Sequence, residues 1–234
     1  MFPMQRKLPG TRNEDYMKKK LIIEIIIAYP LVVLATVAYH FLLMPALSSR
    51  PLKMTVMCLF YAVIVGIPFL LMKASKAPVD FGFRRENILR QIITGIGLFA
   101  AMSVVFIGLP LLIGFNKTDV LNFKAGSIGI LIFFLLFDVL FVGMGEEIIF
   151  RGYFLNRFQT LTSSKVWAVV LSSVLFGLWH YPAGQNPMQV LMTAVLGAIY
   201  ATVRLKMKGC TTLSVGIAHG LNDAFIVLLS YFLL

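Results

Sequence analysis

Seven long apolar runs separated by short polar stretches set the pattern of this chain: residues 21–43, 54–72, 91–115, 125 to about 150, 166–180, 187–203 and 211–234. The runs are apolar on every side rather than striped along one face. That is the mark of helices surrounded by other helices or by lipid. A helix needs roughly 20 apolar residues to cross a bilayer. The run 91–115 exceeds that and predicts a tilted span, while 166–180, ended by Tyr181 and Pro182, is short for a full crossing. The pattern predicts an all-α, polytopic transmembrane helical bundle of about seven spans, eight if one run is split. Pro45 and Pro51 bracket a tight turn, and Gly66 with Pro68 allows a kink in the second span. Residues 73–90 are expected to lie along the membrane surface, 116–124 to form a loop, and 156–165 to form a short polar connection.

Composition agrees with this pattern and adds an orientation. Of 234 residues 59% are hydrophobic and only 13% charged, against about 25% in soluble domains. The net charge of +11 does not point to nucleic acid, because the basic residues flank the apolar runs. With the N-terminus in the cytoplasm, the inner segments hold 17 Lys and Arg and the outer ones 4 (Arg50, Lys53, Lys117 and Lys124). That asymmetry predicts a multi-pass cell-membrane protein with a cytoplasmic N-terminus and, after seven spans, an outward C-terminus. The start is polar and basic, and the first run is too long for a signal-peptide core, so no cleavable signal is expected. Cys58 and Cys210 give neither a disulfide framework nor a cysteine zinc site. No internal repeat is evident. Residues 1–20 read as a cytoplasmic tail, 21–124 as N-terminal spans and loops, and 125–234 as the part carrying the chemistry.

The chemistry begins in the stretch from Asp138 to Arg151, D-V-L-F-V-G-M-G-E-E-I-I-F-R. A charge at bilayer depth costs about 2.5–3.5 kcal/mol on insertion scales, so Glu146, Glu147 and Arg151 are functional candidates. In a helix Glu147 and Arg151 share a face, and Glu146 lies about 100° away. Arg151 can neutralise Glu147 while Glu146 points elsewhere. The expected place of this stretch is the cytoplasmic end of the fourth span.

Histidines supply the rest. His180 closes F-G-L-W-H, one helical turn after Phe176; His219 opens H-G-L-N-D, one turn before Asp223. Each alone could be a satisfied polar residue inside a bundle. Together with Glu146 and Glu147 they bring titratable groups from three spans into apolar surroundings, where such groups gather in bundle interiors or wet cavities. Glu24 and His40 are expected at headgroup level instead. Gly216 and Gly220 form G-x-x-x-G, which permits close helix contact.

In order, E-E-x-x-x-R at Glu146, Glu147 and Arg151, F-x-x-x-H at Phe176 and His180, and H-x-x-x-[N/D] at His219 and Asp223 resemble the three motifs of the CAAX-protease and bacteriocin-processing family (CPBP, also called ABI). Its members are multi-helix intramembrane endopeptidases, and one branch trims the last three residues from prenylated proteins. The resemblance covers about residues 125–230. It implies that Glu146 is the general base for water, that His180 shares this water, and that His219 and Asp223 face the scissile carbonyl. Glu147, Arg151, Phe176 and Asn222 would support them. It also implies a peptide or lipid-modified protein as substrate, with membrane lipid as partner and no nucleic acid. The prenyl-protein branch has Asn where this chain has Asp223. An ionised Asp cannot donate to an oxyanion, so Asp223 is either protonated or an acceptor that holds His219 as a donor.

Two histidines and a carboxylate also make a plausible zinc set, Glu146, His180 and His219. The metal-free alternative, slightly preferred, has Glu146 and His180 polarise water directly. Spacing does not separate them. Two other functions compete with the peptidase: a non-catalytic immunity or scaffold protein, and a proton-coupled transporter. The second is disfavoured because no pair of spans shows matching broken-helix symmetry.

Overall fold

Each of the seven apolar runs becomes a helix, in the computed structural model described here for residues 12–121 and 123–234. They are α1 (Asp15–Ala46), α2 (Arg50–Ser75), α3 (Ile88–Leu112), α4 (Ile128–Thr162), α5 (Lys165–Gly184), α6 (Pro187–Lys206) and α7 (Thr212–Leu233). All seven are long and apolar enough to cross a membrane, and no strand occurs among the described residues. The all-helical, multi-pass fold is thus the one the pattern implies. Most of the expected cytoplasmic tail, residues 1–11, lies outside the described residues. Outward-facing side chains such as Ile26, Leu34, Leu70, Leu89, Ile93 and Trp167 are exposed and apolar. That surface would be prohibitive in water and is ordinary against lipid.

Local chemistry sets the helix ends. Ser49, Ser127, Ser164, Asn186 and Thr211 each accept a hydrogen bond from a first-turn N–H, so every helix after a tight turn except α3 has a side-chain cap. Pro51 and Pro187 occupy first-turn positions, where their missing N–H costs nothing. The α5 helix runs four residues beyond His180, so the short apolar run becomes a 20-residue helix.

α7 is the centre of the bundle and the most enclosed helix. It packs on α3 and on α4. The G-x-x-x-G pair lies at the α4 crossing: a Cβ on Gly143 would strike the Gly220 backbone, and one on Gly216 would press on Met144. Bare backbones are what bring the two helices so close.

Three expectations are corrected here. Helix α4 does not end near residue 150 but continues to Thr162, so Glu146, Glu147 and Arg151 sit inside a 35-residue helix rather than at its end. The presumed polar connection 156–165 is therefore mostly its last turns. Glu24, expected at headgroup level, is buried: its Oε1 accepts from Arg157 at 2.6 Å and from the Tyr153 hydroxyl at 2.7 Å. Each residue hides the other's charge, which one sequence window cannot reveal. Because Arg151 and Arg157 are buried, they leave the inner-loop tally, and the basic asymmetry falls to 15 against 4 without changing sign.

The 73–90 loop is tied to the helix ends. Phe81 stacks on Phe69 at 4.4 Å, Thr212 donates to the Phe81 carbonyl, Asn156 to the Asp80 carbonyl and Arg157 to the Ala77 carbonyl. Within the loop, Arg84 pairs with Asp80 at 2.6 Å and holds that carboxyl below the usual range.

Candidate active site

Two wide π turns, Asp138–Gly143 and Ile148–Phe154, flank the single α-helical turn Met144–Glu147. Such turns shift the helical register locally and recur at functional sites. Here they leave Glu146 and Glu147 on different sides of α4, both buried.

Glu147 faces Arg151 and His219. Its Oε1 lies 2.9 Å from the Arg151 guanidinium and 3.0 Å from His219 Nδ1. Both members of the Glu147–Arg151 pair are fully buried. The N–H bonds of Arg151 do not aim along that line, so the contact is ionic without a well-formed hydrogen bond. The guanidinium carbon also lies 4.1 Å from the centre of the Phe176 ring, whose π face takes up part of the charge. Phe176 therefore has a definite place, between Arg151 and His180.

Glu146 faces the other way. Its Oε2 is 3.7 Å from His180 Nε2 and 3.8 Å from His219 Nε2, and it has no hydrogen-bond partner. Both distances are too long for direct hydrogen bonds. His180 Nδ1 is 2.8 Å from the Phe176 carbonyl; a carbonyl only accepts, so Nδ1 carries the proton and Nε2 is left to face Glu146. His219 Nε2 lies 3.3 Å from Asp223 Oδ2, so both of its ring nitrogens face carboxylate oxygens. The Tyr200 ring lies against His219 at 5.7 Å. Of these side chains Asp223 is the most exposed, at 30%, and His180 follows at 17%; the opening of the site is on their side.

Glu146, Glu147, Arg151, Phe176, His180, His219 and Asp223 are thus brought together from α4, α5 and α7. Asn222 is not part of that group. It is buried on another side of α7, where its Oδ1 accepts from Ser103 Oγ of α3 at 3.2 Å. Tyr61 of α2 lies at the site although nothing in the sequence points to it: its hydroxyl donates to Glu146 Oε1 at 2.9 Å. A tyrosine in an uncharged span, 85 residues away, carries no spacing signal that ties it to an acid. Asp138 is a further buried acid on α4, and its Oδ2 has no hydrogen-bond partner.

As placed, Glu146, His180 and His219 do not form a closed zinc centre. Three ligand atoms would have to converge at about 2.0–2.2 Å on one point. Among the described residues no group of three His, Cys, Asp or Glu side chains is placed to hold a metal ion. With both nitrogens of His219 turned to carboxylates, its ring is set up to donate protons rather than to offer a lone pair.

The family model described as Rce1-like, type II CAAX prenyl endopeptidase Rce1-like, matches residues 128–225. That stretch contains every motif residue from Glu146 to Asp223, so the resemblance read from the three motifs is shown over it. No curated protein and no solved structure matches the chain.

Proposed function

We propose, from the match of residues 128–225 to the Rce1-like family model, that this multi-pass membrane protein is an intramembrane endopeptidase in which Glu146 activates water. One observation carries the assignment: a single unpartnered carboxylate oxygen, Glu146 Oε2, stands 3.7 and 3.8 Å from the facing nitrogens of two histidines on different helices. A separation of that size leaves room for a water within hydrogen-bond reach of both partners.

In this mechanism the water lies between Glu146 Oε2 and His180 Nε2. Glu146 takes its proton as the oxygen bonds to the carbonyl carbon of the scissile peptide. The carbonyl oxygen becomes an oxyanion and receives a proton-bearing nitrogen of His219. Asp223, at 3.3 Å from Nε2, and Glu147, at 3.0 Å from Nδ1, flank that ring and compensate positive charge on it. When the intermediate collapses the C–N bond breaks, and the leaving amine takes the proton that Glu146 holds. Arg151 holds Glu147 in place; Phe176 fixes Arg151 on one face and orients His180 through its carbonyl. No step passes through a metal.

The substrate in this reading is a peptide or lipid-modified protein that enters from the membrane, cut near the cytoplasmic face with the N-terminus cytoplasmic. The test is cleavage of a panel of prenylated and unmodified membrane peptides by the purified protein in detergent or nanodiscs. Activity that is lost in Glu146→Gln, a variant that keeps shape and removes the base, supports the assignment. Full activity of Glu146→Gln on a cleaved substrate would refute it.

A further inference from the structure

The two oxygens of Glu146 are not equivalent. Oε2 faces the histidines; Oε1 accepts the hydroxyl of Tyr61 at 2.9 Å. Tyr61 lies on α2, outside the stretch that matches the family model. Its ring is fixed from two sides by edge contacts, 5.4 Å to Phe137 and 5.4 Å to Phe60. A third restraint comes from the residue before the base. A Cβ on Gly145 would stand 2.9 Å from Tyr61 Cδ1, so the ring occupies the space a side chain there would need. A residue from an early span, an aromatic wall and a missing side chain on α4 thus act on one bond.

We propose that Tyr61 is a positioning residue that holds the Glu146 carboxylate with one oxygen turned to the two histidines. A carboxylate can turn about its last bond with little resistance, since torsions of this kind have broad wells. Water activation needs Oε2 to stay between His180 and His219. A donor anchored at 2.9 Å on Oε1 fixes that rotation and occupies the oxygen that faces away from the histidines. Hydrogen bonds to charged acceptors are the strong kind, and this one forms where little water competes for it. It follows that α2 is part of the catalytic unit, although its sequence gives no motif.

This inference rests on Glu146 being the base, and the experiment separates the two claims. Tyr61→Phe removes one oxygen and leaves the ring among Phe60, Phe137 and Gly145. On whichever panel peptide is cleaved, and with Glu146→Gln inactive on it, Tyr61→Phe should lower kcat about 10- to 100-fold, the loss expected for one hydrogen bond to a charged group. KM and melting temperature should stay at wild-type values, because no substrate contact and little packing is removed. Gly145→Ala pushes on the ring from the other side and should lower kcat as well. The double variant should be no worse than the poorer single one, since both act through the same bond. Wild-type kcat in Tyr61→Phe, a loss in kcat matched by a loss in melting temperature, or fully additive losses in the double variant would each overturn the proposal. An active Glu146→Gln would instead bring down the assignment of the base.

Discussion

Removing Arg151 should destabilise the protein more than any other single truncation at the site. The guanidinium is fully buried, 2.9 Å from Glu147 and 4.1 Å from the centre of the Phe176 ring. Arg151→Ala leaves Glu147 buried with His219 as its one remaining close partner and vacates the space against Phe176. Breaking a buried pair by removing one partner costs about 3–5 kcal/mol. For a chain of this size each kcal/mol moves Tm by about 2–4 °C, so the loss should be about 6–20 °C. The readout is the thermal loss of the monodisperse peak when purified protein in detergent is heated before size exclusion. Two controls separate charge from volume. Arg151→Lys keeps the charge but loses the planar fork and its stacking, and should fall in between. Arg151→Met restores most of the volume yet leaves Glu147 unpaired; adding Glu147→Gln should recover part of the lost Tm, because the stranded charge goes with it. A Tm within 2 °C of wild type in Arg151→Ala would refute the reasoning, as would a double variant no more stable than Arg151→Met alone.

Other outcomes follow from the same geometry. Glu146→Gln should stay folded and lose peptidase activity by about 10²-fold or more, read by mass spectrometry of the cleaved peptide. His180→Ala and His219→Ala should each do the same, and their combination should cost little more than either, since members of one catalytic unit are not additive. Exhaustive chelation should leave wild-type activity intact, and loss that zinc restores would count against the metal-free mechanism. Glu24→Ala strands Arg157 in the second buried pair and should lower Tm without changing the KM of protein that remains folded. The exposed Asp80–Arg84 pair is the opposite case. Arg84 holds the Asp80 carboxyl below its usual range, so its contribution is present above that range and lost as pH falls through it. Asp80→Asn should therefore shift stability by no more than about 1 kcal/mol at neutral pH and by nothing once wild-type Asp80 is protonated.

How much of this was legible in the sequence depended on the range over which each feature acts. Helices in lipid are specified by local composition, and all seven apolar runs become helices for that reason. The Glu147–Arg151 contact and the two histidine turns are local as well, since they are set by positions four residues apart. What failed was long-range. Glu24 is tied to Arg157 across 133 residues and Tyr61 to Glu146 across 85, and neither pairing leaves a periodic trace. The end of α4 was misplaced because residues 156–162 are polar, a composition that reads as loop until Arg157 has a buried partner. Asn222 is the converse: the resemblance implies a supporting role for it, but neighbours on a helix point about 100° apart, and this one faces Ser103.

Two buried charge systems, at the middle and the last turns of α4, suggest why the early spans are required at all. Glu24 and Arg157 fasten α1 to the last turns of α4, and Tyr61 ties α2 to its middle. Around Glu146 lie three further acids, Asp138, Glu147 and Asp223, with the cation Arg151 and the rings of His180 and His219. In an apolar setting a carboxyl without a counter-charge takes up a proton or accepts hydrogen bonds from the surrounding helices. Tyr61 is one such donor from outside the motif-bearing stretch. The three motifs alone would place the acids and histidines in sequence without the enclosure that keeps them usable. The early spans then act as structural partners of the motifs, and their packing against α4 should constrain activity as strongly as the motif residues do.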